Sequence, residues 1–329
     1  MKKINFKVLY IEITHFCNQS CKHCYLDCSS EKELYPMNTQ EIKKIITDFK
    51  NQGGWYVVLT GGEPFARKDI FEILDCIEEN NLKFNVASNC LALNEEKIKK
   101  LGAYKCLDVI HTSILGSNEE EHNYISNSKG YNNVLRCLKL FEKYNIKVYI
   151  QITLAKEYID KMEYIVDNLS EINGTIKFTP ITNLGIKKDD YLYEKLVIKE
   201  EDYSRFYDKY NKLKEKYGEL IEHSNLFTYE EVNKEIEYFK DKELYSLDYR
   251  CLVVRPDGEK SFSFVLNNPV SYGSALEGIE VDMDDRLIKY IDTLREVDKE
   301  ILKIAKDKGM VNYDVLMNNL IEKAYANNN

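Results

Sequence analysis

Trp55-Tyr56-Val57-Val58-Leu59-Thr60-Gly61-Gly62-Glu63-Pro64 is a strand that runs directly into a turn. Its first six residues are apolar, aromatic or β-branched with no polar alternation, the pattern of a strand buried on both faces. Two glycines then open backbone conformations closed to other residues and let another group approach closely. Pro64 stiffens the exit. Gly-Gly after a strand is by itself an ordinary turn, so its weight depends on what surrounds it.

Working outward, the same strand-then-helix unit recurs on both sides. Val8–Ile13 reads as the first strand. Asn38 with Glu41 three residues later forms a capping-box signature, and Ile42, Ile45, Ile46 and Phe49 follow at helical spacing up to Gly53. Asp69 is a candidate cap for a helix burying Ile70, Ile73, Leu74 and Ile77. Lys83–Ser88, Leu107–Ser113, Ile146–Thr153 and Thr175–Thr179 read as strands, with helices after Asn94 and over Asn133–Tyr144 and Tyr158–Leu169. Six βα units imply parallel strands joined by right-handed crossovers, short of a closed eightfold barrel.

Upstream of the decisive turn, Cys17, Cys21 and Cys24 stand in a Cys-x3-Cys-x2-Cys run followed by Tyr25. Three thiols this close suit a metal centre better than disulfides, which would leave one over. A four-iron cluster held by three thiolates keeps one iron open for chemistry. Zinc is the alternative, with His23 or Cys28 as a fourth ligand, although structural zinc favours two separated pairs.

The cysteine run and the Gly-Gly-Glu-Pro turn together resemble the radical S-adenosylmethionine (SAM) superfamily. The resemblance implies a curved partial (β/α)6 barrel with its active site at the C-terminal strand ends, where both motifs fall. It implies that Cys17, Cys21 and Cys24 hold a [4Fe–4S] cluster and that Gly61, Gly62, Glu63 and Pro64 lie along SAM. Ser88 and Asn89 stand where relatives carry Thr-Asn-Gly. Ser113 opens Ser113-Ile114-Leu115-Gly116, which lacks the aspartate of the related Ser-x-Asp-Gly. With Gln151 on the fifth strand, these are the further candidates for SAM. Gly185 follows the sixth strand, and Arg136 reads as a surface residue. His15 precedes the cysteine loop and His23 lies inside it, and both are candidates for tuning its hydrogen bonding.

Length and composition bound the rest. The chain has 329 residues, is 44% hydrophobic and carries a formal charge of −9 without a basic stripe, which argues against nucleic-acid binding. It shows no signal peptide and no run of membrane-spanning length, and its nine unevenly spaced cysteines suit a reducing, cytoplasmic setting. Tyrosine is abundant, at 25 residues, and is given no functional weight.

Past residue 190 the alternation stops. We expect a barrel over 1–190, a helical region over 191–248, a hairpin region over 249–283 and C-terminal helices over 284–329. Glu200–Tyr217 and Thr228–Lys240 read as helices. Cys251–Phe264 reads as a hairpin around Pro256-Asp257-Gly258, and Leu287, Ile288, Ile291 and Leu294 share a helical face. The segment from Cys251 to Glu259 resembles the opening of the SPASM or twitch extension of peptide-modifying radical SAM enzymes. No cysteine follows Cys251, so the extension lacks the three or four thiolates that an auxiliary cluster needs. One cluster per chain is expected, with Cys251 as a candidate hydrogen donor to a product radical.

The resemblance thus implies hydrogen abstraction by a 5′-deoxyadenosyl radical from a peptide or protein side chain, as in ribosomal peptide maturation. Flavodoxin or ferredoxin is the expected electron donor. About ten residues precede the first strand, so a separate leader-peptide recognition protein is the expected partner. A small-molecule or cofactor precursor is the alternative substrate, and a non-catalytic iron–sulfur or zinc scaffold the alternative class. SAM binding separates the scaffold from both enzymes.

Overall fold

The computed structural model describes residues 3–4, 6–172, 174–184, 191–239, 251–261 and 271–326. Gly185, Lys240 and the hairpin end at Phe262–Phe264 lie outside the described residues. In chain order the elements are β1 (Val8–Glu12), α1 (Thr39–Asn51), β2 (Tyr56–Thr60), α2 (Ile70–Glu79), β3 (Lys83–Ser88), α3 (Glu95–Leu101), β4 (Leu107–Ile114) and α4 (Glu119–Ser126). There follow α5 (Tyr131–Lys143), β5 (Val148–Leu154), α6 (Met162–Asp167), β6 (Gly174–Pro180), α7 (Tyr191–Leu196), α8 (Tyr203–Tyr217), β7 (Ile221–His223), β8 (Leu226–Thr228) and α9 (Tyr229–Phe239). The last are β9 (Cys251–Val254), β10 (Lys260–Ser261), α10 (Asp285–Lys308), β11 (Met310–Asn312) and α11 (Tyr313–Ala326).

The parallel α/β sheet expected from the six βα units is present, and it is larger. Nine strands are ordered β10-β9-β1-β2-β3-β4-β5-β6-β7. β7 adds in parallel beyond β6, and β9 adds in parallel on the other side of β1. β10 closes the expected hairpin antiparallel to β9. The sheet therefore does not end near residue 190, because segments from the C-terminal half supply both flanks. A second, two-stranded sheet pairs β8 with β11 beside the C-terminal helices.

Strand alternation gives the sheet two unlike faces. Leu9, Ile11, Val57, Leu59, Phe84, Val86, Ile110, Ile150, Ile176 and Phe178 are fully buried in one apolar cluster with the crossover helices. The opposite face carries Tyr56, Ala87, His111, Ser113, Tyr149, Gln151 and Lys177, all half-buried. Those residues line the lumen of the partial barrel.

Asn38 makes the expected capping box with Glu41, and α1 buries Ile42, Ile45, Ile46 and Phe49 as its spacing required. Asp69 is a correction. It precedes α2 without capping it, because its carboxylate is taken by Arg67 and Thr39. The helix expected over Tyr158–Leu169 begins as a 3-10 turn at Lys156–Lys161 before α6. Ile288 is 43% exposed, whereas Leu287, Ile291 and Leu294 are buried in α10.

Candidate active site

The Gly-Gly-Glu turn is built against the cysteine loop, backbone to backbone. Beyond the β1–β2 ladder, Gly62 N–H donates to Thr14 O at 2.7 Å and Glu63 N–H to Phe16 O at 2.8 Å. A Cβ on Gly61 would stand 2.2 Å from Thr14 O, and one on Gly62 2.0 Å from Phe16 O. Gly61 also has φ +116°, a conformation that side chains disfavour. The glycines are thus required by the approach of two main chains. Downstream, the loop closes on itself through Cys17 N–H to Ser29 O at 3.0 Å. Lys22 N–H docks it on α4 through Ile125 O at 2.9 Å.

Cys17 is buried, and Cys21 and Cys24 are half-buried. Burial pushes the Cys17 thiol up to about 11 and the Cys21 thiol up to about 12, and each is raised further by the Cys24 charge. Cys24 is drawn down to about 6, chiefly by the hydrogen bond from the Cys28 side chain. The three groups therefore sense one another electrostatically. Three thiols on one loop suit a cluster in which each thiolate takes a different iron and one iron is left without a protein ligand.

Glu63 is fully buried, and its carboxylate accepts from Phe65 N–H at 3.0 Å, Ser88 Oγ at 3.0 Å and Asn89 N–H at 2.7 Å. Burial raises it to about 7 against those bonds. Ser88 Oγ gives its proton to Glu63 and accepts from Cys90 N–H at 3.0 Å. Asn89 Nδ2 donates to Asn18 Oδ1 at 2.7 Å and lies 3.6 Å from Cys17 Sγ. Pro64 is buried at the start of a 3-10 turn. Ser113 and Gln151 are paired in register on β4 and β5, and both face the lumen.

The Radical SAM superfamily profile matches residues 11–169. Residues 11–169 form a radical SAM domain. Mycofactocin maturase MftC of Mycolicibacterium smegmatis is 24% identical over 175 residues, covering 53% of this chain and 44% of that protein. Fe-coproporphyrin III synthase of Methanosarcina barkeri is 27% identical over 164 residues, covering 50% of this chain and 41% of that protein. The chain thus spans less than half the length of these two curated relatives. The structure of Streptococcus suis SuiB bound to precursor peptide SuiA superposes with TM-score 0.69 at 17% identity, covering 88% of this chain and 67% of that one. That likeness establishes the shared fold.

Within the radical SAM domain the cysteine loop, the Gly-Gly-Glu turn and the ends of β3, β4 and β5 all lie at the C-terminal end of the sheet. Cys251 does not join them. It opens β9 opposite Val8, at the N-terminal end of β1. About four strand residues, on the order of 13 Å, separate that level from the start of the cysteine loop. The residue expected as a donor to a product radical thus lies at the opposite end of the strands from the cysteine loop.

What does reach the loop from β9 is Arg255. Its guanidinium pairs at 2.5 Å with Glu12, which is fully buried at the end of β1 and also contacts His15 Nε2 at 3.0 Å. Sequence reasoning missed this pair. It also missed Arg67, which is 1% exposed, donates to Ile13 O and Met37 O at 2.9 Å each, and pairs with Asp69 at 2.7 Å. The available signals were a charged residue ending a hydrophobic strand and an arginine three residues after Pro64. Arg136 is exposed, as a surface residue should be, and donates to Leu93 O at 2.7 Å. His23 lies half-buried and His122 buried nearby, and His122 Nδ1 accepts from Leu115 N–H at 3.2 Å.

Proposed function

We propose that the chain is a radical SAM enzyme that abstracts hydrogen from a side chain of a peptide or protein, using one [4Fe–4S] cluster held by Cys17, Cys21 and Cys24. The observation that carries this is the backbone ladder that fixes the cysteine loop against Gly61, Gly62 and Glu63 at the C-terminal end of the sheet. Cys17, Cys21 and Cys24 would hold the cluster, which with SAM would supply a 5′-deoxyadenosyl radical on one-electron reduction. This chain's own residues do the positioning. Glu63 holds the Ser88–Asn89 turn against the loop, Asn89 Nδ2 donates toward Cys17, and the backbone of Gly61 and Gly62 forms the groove wall. Ser113 and Gln151 offer lumen-facing polar groups to SAM.

A peptide substrate is supported by the fold shared with SuiB, whose structure includes a precursor peptide. The small-molecule reading is supported by the match to Fe-coproporphyrin III synthase over 164 residues. Flavodoxin or ferredoxin would supply the electron, and a separate recognition protein would present a leader peptide. Among the described residues no helix is long and apolar enough to cross a membrane.

Anaerobic reconstitution, addition of SAM and dithionite, and quantification of 5′-deoxyadenosine against Cys21→Ala test the reaction. Cysteine-dependent product is expected. Iron-loaded protein that neither binds nor cleaves SAM would leave the scaffold reading in its place.

A further inference from the structure

A run of hydrogen bonds crosses the floor of the lumen and leaves one acceptor over. It starts at Asp108, the extra residue of a β-bulge where the β3–β4 register shifts. Tyr56 OH donates to Asp108 Oδ2 at 2.8 Å. A phenol has one proton, so toward Asn85 Nδ2, at 3.4 Å, Tyr56 acts as acceptor. That fixes the orientation of the Asn85 amide, whose second Nδ2 proton then faces His111 Nε2 at 3.3 Å. The ring of His111 is held flat against Tyr149, with centroids 4.9 Å apart and planes at 26°.

All the donors in this run are committed, yet Asn85 Oδ1 has none directed at it. Asn85 is 8% exposed, and Oδ1 is buried without a hydrogen-bond partner among the described residues. Its side chain stands on the lumen face, in the register row of Val58 and Val109. Ala87, two residues on toward the strand ends, is half-buried, so solvent reaches the lumen at that level. A buried acceptor without a donor costs about 1–3 kcal/mol, which a ligand that supplies the donor recovers.

We propose that Asn85 Oδ1 is the floor of a substrate subsite that accepts a hydrogen bond from a neutral group, a hydroxyl or a carboxamide N–H, carried by a peptide side chain inserted into the lumen. The inference rests on the peptide reading above and deepens it. A carboxylate has no proton to give and would set lone pairs against Oδ1. An ammonium would be desolvated beside a single neutral acceptor, with the Lys177 charge acting on the same floor. Asn85 lies three residues before Ser88, about 10 Å below the strand ends. The side chain therefore enters the half-barrel rather than lying across its mouth.

The test is ligand-observed saturation-transfer NMR on the reconstituted protein with N-acetyltyrosinamide, N-acetylasparaginamide and N-acetylaspartate amide. At least one neutral probe should bind, and the carboxylate probe at least tenfold more weakly. Asn85→Leu should weaken the neutral probe at least tenfold. Ala87→Leu fills the lumen above without touching the acceptor and should do the same, so it carries the test if Asn85→Leu does not fold. Equal binding of the carboxylate, binding unchanged in a folded variant, or no binding of either neutral probe overturns the subsite and leaves a water on Oδ1. SAM cleavage by the same wild-type preparation is scored separately. Cleavage without probe binding overturns the subsite alone, and Asn85-dependent binding without cleavage overturns the reaction alone.

Discussion

Glu63 accepts the backbone N–H of Asn89 at 2.7 Å, so a carboxylate from the turn after β2 holds the residue that itself reaches Cys17. Replacing Glu63 with Gln puts an amide donor against N–H or O–H donors on one side of the group. We expect a loss of about 1–3 kcal/mol, the cost of a buried mismatched polar pair. SAM affinity should fall with it, because the Ser88–Asn89 turn loosens. Urea unfolding and equilibrium SAM binding measure both. Wild-type stability in Glu63→Gln would remove the strut from the account.

Gly61→Ala and Gly62→Ala should each displace the cysteine loop. The added methyl meets carbonyl oxygen at 2.2 Å and 2.0 Å respectively, and that oxygen belongs to main chain that cannot rotate away. The expected outcome is soluble protein with reduced iron loading after reconstitution. Iron and sulfide analysis would decide it, and full loading in both variants would mean that the ladder is dispensable.

Much of this site was legible because its signals are local. Cys17, Cys21 and Cys24 share one loop, the glycines follow their strand directly, and β1 to β6 each carry a local apolar or β-branched signal. The parts that were not legible are long-range. Arg255 meets Glu12 across 243 residues, and β9 docks beside β1 through a pairing with no sequence signature. Arg67 looks like any turn arginine until Ile13 and Met37 present their carbonyls to it. α4 was missed because Glu119-Glu120-Glu121 lacks an apolar stripe, although Asn118 caps it.

The Arg255–Glu12 pair should therefore be costly to break from one side. Arg255→Met leaves Glu12, 0% exposed, with only His15 as a side-chain partner among the described residues. A buried charge stripped of its counter-ion typically costs about 3–5 kcal/mol. The double variant Arg255→Met with Glu12→Gln should recover part of that loss. A double-mutant cycle in denaturant measures the coupling, and additive losses would show that the two residues act independently.

Cys251 and Cys21 should separate cleanly in function. Cys21→Ala is expected to abolish 5′-deoxyadenosine formation, whereas Cys251→Ala should leave it, and the yield of modified substrate, within about twofold, a difference of about 0.4 kcal/mol. The reason is position, since Cys251 faces Val8 at the far end of the strands from the cysteine loop. Accumulation of an abstracted but unquenched substrate in Cys251→Ala would restore the donor role.

Acid should loosen the wall on which the loop rests. Burial lowers His122 from 6.5 to about 4, and its Nδ1 is already used as the acceptor for Leu115 N–H. Protonation would turn that acceptor into a donor facing a donor. For a base whose folded pKa is depressed, the unfolded chain binds the proton more readily. Stability is therefore intact above pH 6.5 and is lost as pH falls from 6.5 toward 4. A shift of this size corresponds to about 3 kcal/mol at 1.36 kcal/mol per unit. Denaturant midpoints taken at intervals from pH 7 to pH 4 should show the decline, and His122→Gln should have a shallower one. An identical slope in His122→Gln would assign the acid sensitivity to other buried groups, His23 and His111 first among them, which burial also lowers to about 4.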